Sequence, residues 1–361
     1  MTSDSGPPRS ARSTPSPHRA PPRRARWPLA VGLLLLAPLC AEYVTGYDTS
    51  TGDPLALAGG LLILAPLYGA PALLIRETAR RLGVRWPGIL ALAAAFGVVQ
   101  AGVVDQSLFS TSYRDIEYWD DMLLPTLIEP LGLSANNAVA FVVGHAVWSY
   151  GVPIALVESL HPAASRRPWL RAPGLAVTAL LYLGAAALIL SDHLHNEADH
   201  ASAAQVTGSL VAVALLAALA FTIGRRRPPS RDAAVPGPFV IGTLGLAAAL
   251  AFNLVPPTWP GVAAALAVSA VGAASVAHLS RSGRWGGRHV AALATGALLA
   301  RAAIGFLAVP LGDVAPLAKY AHNTAFLAGA VLLGAWAAWR NRPSAGAGAA
   351  RAEPLDDDPV R

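Results

Sequence analysis

A histidine stands in the middle of an apolar run. Residues 141–151 read FVVGHAVWSYG, and His145 is the one side chain there whose charge can change near neutral pH. At about 1.5 Å of rise per residue, His145 lies roughly nine residues into its segment, and Ser149 sits one turn farther along the same face. Gln100 falls about 9 Å below the end of the preceding apolar segment, an end marked by Asp105 and Gln106. Glu42 closes the first segment, and His322 opens the last beside Lys319 and Asn323. All of these are expected in one leaflet, where His145, Asp105, Gln100 and His322 form a candidate catalytic set. A histidine and a carboxylate within reach of each other can transfer protons in general acid–base chemistry. An ionisable group at such depth is functional by default; the alternative for His145 is an interhelical hydrogen bond that fixes packing.

Arg301 is the second anomaly, roughly halfway through its apolar segment. An arginine there costs about 2.5–3.5 kcal/mol on insertion scales, so a partner is expected. A buried ion pair with Glu42 is the leading expectation, with Asp105 and Asp313 as the other outer-side acids. Glu158 is expected to snorkel and pair with Arg166 or Arg167. The string SDHLHNEADH, residues 191–200, offers His193, His195 and His200 as candidate ligands for a divalent metal. His193 and His195 alternate as on a strand or loop, whereas a helical zinc pair would use an i, i+4 spacing. The competing reading is a solvated acidic outer loop.

The elements that must position these residues are membrane helices. Of the 361 residues 54% are hydrophobic and 13% charged, against about 25% charged in soluble domains. The fold class expected is all-α: a polytopic transmembrane bundle. Ten apolar segments, at 27–46, 54–75, 87–106, 137–160, 170–191, 202–224, 238–255, 260–279, 288–309 and 319–339, each approach the length needed to cross the hydrocarbon core. Arginines fill alternate connections (76–85, 166–171, 225–231, 281–288) and both tails, while the other loops hold only Arg114, which predicts both termini in the cytoplasm. The net charge of +6 thus sets topology and meets the lipid bilayer rather than nucleic acid. One lysine among 27 basic residues, with abundant Ala, Gly and Pro, is the bias of a GC-rich bacterial genome and points to a bacterial plasma membrane. The single cysteine, Cys40, excludes an internal disulfide, and no P-loop is present.

Residues 1–26 read as a disordered basic tail and 341–361 as a second tail. Within 27–340, residues 27–191 carry most polar positions and 202–340 read as a packing half. The connection 105–136 is the longest, with six acids against one arginine and four aromatics. An amphipathic interfacial connector is expected there; a lid, a re-entrant segment or a surface for a protein partner are the alternatives.

Phe141–His145 reads F-x-x-x-H, which resembles the second motif of the CPBP family of CAAX-protease and bacteriocin-processing intramembrane enzymes. That family's first motif is E-E-x-x-x-R, in which a glutamate activates water. The corresponding stretch here, FGVVQAGVVDQSLF, has Gln100 and Ala101 in place of the glutamates and Asp105 in place of the arginine. His195 to Asp199 gives only a loose third motif. The segment from span two through PWLRAPG also looks similar to uncharacterised bacterial multi-spanning proteins in which an E-E-G would stand at Gln100–Gly102. The resemblance implies a hydrolase-related protein with a degenerate motif, its chemistry abolished or moved to Asp105. Two readings of other classes stand beside it: a small-molecule or ion transporter of five-plus-five inverted repeats, and a non-catalytic membrane partner protein.

Overall fold

The computed structural model describes residues 26–226 and 229–342. The two expected tails therefore lie outside the described residues, apart from Arg26, Asn341 and Arg342. Arg26 is not free tail: its Nη1 donates to the Pro168 carbonyl at 3.1 Å.

Long helices fall on each of the ten apolar segments: α1 Trp27–Ala41, α2 Pro54–Leu82, α3 Trp86–Val104, α4 Ala135–Leu160, α5 Ala172–Asn196, α6 Ala203–Ile223, α7 Pro238–Asn253, α8 Trp259–Leu279, α9 Gly287–Gly305 and α10 Pro316–Arg340. Seven of them are long and apolar enough to cross a membrane, all but α1, α7 and α9. Their ends are set by local chemistry. Asp53 caps α2 by accepting from the amides of Leu55 and Ala56, Ser134 caps α4, and Ser202 with Gln205 forms a capping box on α6. Gly83, at φ +70°, ends α2 in the left-handed conformation that glycine adopts without strain.

The apolar surfaces of α5, α6 and α8 face outward. Leu180, Leu215 and Val271 are each about two-thirds exposed, which water would not tolerate and lipid tails would. This is a multi-pass membrane protein.

Packing differs between the halves. In the first, α1 packs on α2 and α4, α3 on α4, and α2 on α5. In the second, α7 and α9 form the most extensive pair, α9 also meets α10, and α6 leaves its own half to pack on α3. Glycines permit the α7/α9 approach: a Cβ on Gly296 would stand 2.1 Å from the Gly242 carbonyl oxygen.

The connection from α3 to α4 is not a simple amphipathic connector. It folds into a cap containing a short helix, Trp119–Leu123, and a two-stranded antiparallel hairpin, β1 Leu127–Ile128 with β2 Leu133–Ser134, paired Leu127 to Ser134 and Ile128 to Leu133. Trp119 is buried, stacks on Phe141 of α4 with ring centroids 6.1 Å apart, and donates its indole N–H to the Ser110 carbonyl. Thr126 and Ser134 bond to each other at 2.9 Å inside the hairpin.

Candidate functional site

Three neighbouring helices leave ordinary α geometry where the polar side chains stand. Ala65–Gly69 in α2, Gln100–Val104 in α3 and His145–Gly151 in α4 are wide π turns, in which the amide bonds the carbonyl five residues back, as from Asp105 to Gln100 and from Val152 to Val147. Pro66 and Pro71 in α2 and Pro153 in α4 lack the N–H that a regular ladder needs, which accounts for two of these turns. In α3 the turn contains Gly102, where α6 comes so close that a Cβ would meet Ser209 Oγ at 2.6 Å. Such turns re-aim side chains and are frequent at functional sites.

His145 opens the turn of α4, and the turns of α2 and α3 lie on helices packed against that segment. Its Nδ1 and Ser149 Oγ are 3.0 Å apart, and its ring stacks between Tyr68 of α2 and Tyr150 of α4 at centroid distances of 5.9 and 6.2 Å. Nε2 has no hydrogen-bond partner among the described residues. Gly97 of α3 lies directly behind, where a Cβ would stand 2.9 Å from His145 Cβ.

Each acid is held by its own donors. Gln100 Nε2 donates to Asp105 Oδ2 at 3.1 Å, and the Ser107 amide to Asp105 Oδ1 at 3.0 Å. Glu42 accepts a hydrogen bond from the Tyr47 hydroxyl and lies against Tyr68. Burial, then the adjacent Glu42 charge, holds the Tyr47 phenol well above the usual tyrosine range, so it stays protonated and remains a donor. The arrangement therefore leaves a histidine with one unbonded ring nitrogen in the same bundle as two acids held by neutral donors, with the cap packed on Phe141 one turn away.

Not all the expected site residues join it. His322 is turned to other work: its Nε2 donates to the Tyr43 carbonyl at 2.7 Å and its Nδ1 accepts from the Gly52 amide at 3.2 Å. It clasps α10 to the α1–α2 loop, where Gly46 and Gly52 have positive φ and leave room for α10. Arg301 does not form the expected ion pair with Glu42. Its Nη1 donates to Asn253 Oδ1 at 3.0 Å and its guanidinium lies 5.4 Å from the Trp148 ring centre, because α9 presents it to α7 and α4 while Glu42 faces the tyrosines.

The three candidate metal-ligating histidines also separate. The helix α5 continues to Asn196, so His193 and His195 are helical rather than alternating in a loop. His193 is buried and faces His200, ring centroids 5.8 Å apart, whereas His195 is exposed with Nδ1 2.6 Å from the Ser191 carbonyl of its own helix. Among the described residues no group of three or more His, Cys, Asp or Glu side chains is disposed to hold a metal ion.

A second charged cluster, at the other end of α4, was not foreseen from the sequence. Glu158 pairs with Arg76 at 3.1 Å and Arg80 at 2.5 Å, not with Arg166 or Arg167. Glu77 pairs with Arg76 at 2.6 Å and Arg81 at 3.3 Å, and its carboxylate also accepts the amides of Trp169 and Leu170. Arg76, fully buried, spends its remaining donors on the carbonyls of Ala164, Ser165 and Arg167, with Trp169 stacked 3.5 Å from its guanidinium. Counting Arg76 among the loop arginines hid this role. The signal was available: RETARR puts Glu77 and Arg81 at i, i+4, within a helix whose apolar face is continuous.

No curated protein and no solved structure matches the chain. The model of an uncharacterized membrane protein family matches residues 32–340, and the chain belongs to that family.

Proposed function

We propose that this protein crosses a bacterial plasma membrane ten times with both termini cytoplasmic, and that the helices around His145 enclose a chamber that works as an outward-facing acid–base site of the hydrolase-related kind. The observation that carries this reading is that π turns interrupt three packed helices where polar side chains stand, the turn of α4 opening at an imidazole stacked between two tyrosines and that of α3 at Gln100, which holds Asp105. His145 is the proton carrier, working through Nε2, while Ser149 fixes the ring at Nδ1. Asp105, held by Gln100 and the Ser107 amide, is the carboxylate that works with His145. Gln100 orients Asp105 and does not titrate. Phe141 and His145 have the spacing of the F-x-x-x-H on which the CPBP resemblance rests; with the glutamate pair missing, the proton-transfer role falls to His145 and Asp105 rather than to a paired carboxylate.

The unequal packing of the two halves supports this over five-plus-five alternating access, which needs both halves built alike. The folded, inward-tied cap supports a roof over the chamber more than a free surface for a protein partner.

The test is a screen of acyl-ester and amide substrates with the protein in liposomes. Turnover that falls about 10²–10⁴-fold in His145→Ala, the range of a lost general acid–base group, and less in Ser149→Ala supports the reading. Turnover that survives His145→Ala in a folded protein overturns it.

A further inference from the structure

A cavity of about 340 Å³ lies between α4, the α7–α8 connection and α9. Its walls are apolar, formed by Phe141, Trp148, Phe252 and Val262, and its polar groups include Arg301 and Asn253. Arg301 has no carboxylate within 4 Å among the described residues, so a cation set in the membrane domain lacks a counter-ion. Its single hydrogen bond, to Asn253, uses Nη1, and its Nε is buried without a partner. The idle edge is thus the Nε–Nη2 fork, the edge that grips a carboxylate or phosphate with two parallel bonds. A buried unpaired donor costs about 1–3 kcal/mol, more when charged, and a bound oxyanion would remove that cost.

We infer that this cavity is a binding site for an anionic amphiphile, a single oxyanion headgroup on an acyl chain, with Arg301 receiving the headgroup and the aromatic wall the first part of the chain. The volume stands at the lower end of small-molecule pockets, which suits a headgroup and part of one chain. Asn253 holds the guanidinium in place from the far side, and Trp148 keeps its position by donating its indole N–H to the Ala297 carbonyl at 2.9 Å. The seat is therefore preformed. A free fatty acid and a single-chain phospholipid offer the same chemistry to the fork.

The experiment is equilibrium dialysis of the full chain in an uncharged detergent against dodecanoate, dodecyl phosphate, dodecanol and inorganic phosphate. Saturation at one per chain by dodecanoate, dodecyl phosphate or both is expected, with dodecanol at least tenfold weaker, and the stronger of the two anions names the source. Arg301→Gln should lower that affinity at least tenfold. Ala265→Phe, which fills the cavity and leaves Arg301 in place, should lower it as much in a chain whose helical content is unchanged. Dodecanol binding as tightly as the anions, inorganic phosphate binding as tightly as dodecyl phosphate, or both variants binding as the wild type would overturn the inference.

Discussion

The two ends of α4 solve the problem of buried charge in opposite ways. At one end Glu158 is locked into a network with Arg76, Arg80 and Glu77 in which nearly every donor has a carboxylate or carbonyl. Thirteen residues earlier, about 20 Å along the helix, His145 keeps one ring nitrogen open, and the nearby acids are bound by neutral donors rather than by cations. Full pairing buys rigidity and leaves no group free to change its proton. Incomplete pairing, on helices deformed by π turns, keeps a group available at a standing energetic cost. The first cluster is scaffold; the second has the properties of a working site.

The largest expected effect falls on the scaffold. Arg76→Met removes the buried cation shared by Glu77 and Glu158, leaving them to Arg81 and Arg80, and should cost about 3–5 kcal/mol, read as a fall of the melting temperature in detergent. An unchanged melting temperature would erase the contrast between the two ends. Gly97→Ala comes next. The added methyl meets His145 Cβ at 2.9 Å, so α3 or the imidazole must shift, at a cost of about 1–3 kcal/mol as for other overpacked cores. This variant sharpens the comparison because it should disturb the chamber and leave the Arg76 network as it is.

His145→Ala removes one hydrogen bond and two ring contacts, a loss of roughly 1–2 kcal/mol, smaller than that of Arg76→Met although both side chains lie within the bundle. If its destabilisation matched that of Arg76→Met, His145 would be a packing residue. The smallest effect belongs to the cap. Asp199 accepts from the Thr111 amide and hydroxyl and from Ser110 Oγ. Burial opposes its ionisation, but these bonds outweigh burial and hold its carboxyl below the usual aspartate range. A depressed folded value means that the tether is complete above the unfolded value and is lost as pH falls through the lower folded one. Asp199→Asn should therefore cost about 0.5 kcal/mol at neutral pH, given its partial exposure, and should speed amide exchange in residues 105–134 with no effect at the Arg76 end.

Helix positions were legible because hydrocarbon imposes length and apolarity on every segment, and each of the ten helices lies where an apolar run predicts it. His145, Gln100 and Asp105 were legible as polar side chains for the same reason, since such groups stand out in apolar runs. Partner choice was not. Whether Arg301 meets Glu42 or Asn253, and whether Glu158 meets Arg166 or Arg76, depends on helix rotation and on which helices are neighbours, and neither periodicity nor depth fixes those in uniformly apolar segments. The π turns were hidden as well: Pro66, Pro71 and Pro153 hint at broken ladders, yet the widening depends on what packs against them.

The most direct measurement is carbethoxylation by diethyl pyrocarbonate in right-side-out vesicles, read residue by residue by peptide mass spectrometry. The exposed His195 and His200 report reagent access, and His278, exposed at the arginine-rich end of α8, reports leakage. An outward-facing working site predicts modification of His145 together with His195 and His200, and none at His278. His145 left unmodified while the two exposed histidines react would contradict the account and return it to the packing of the bundle.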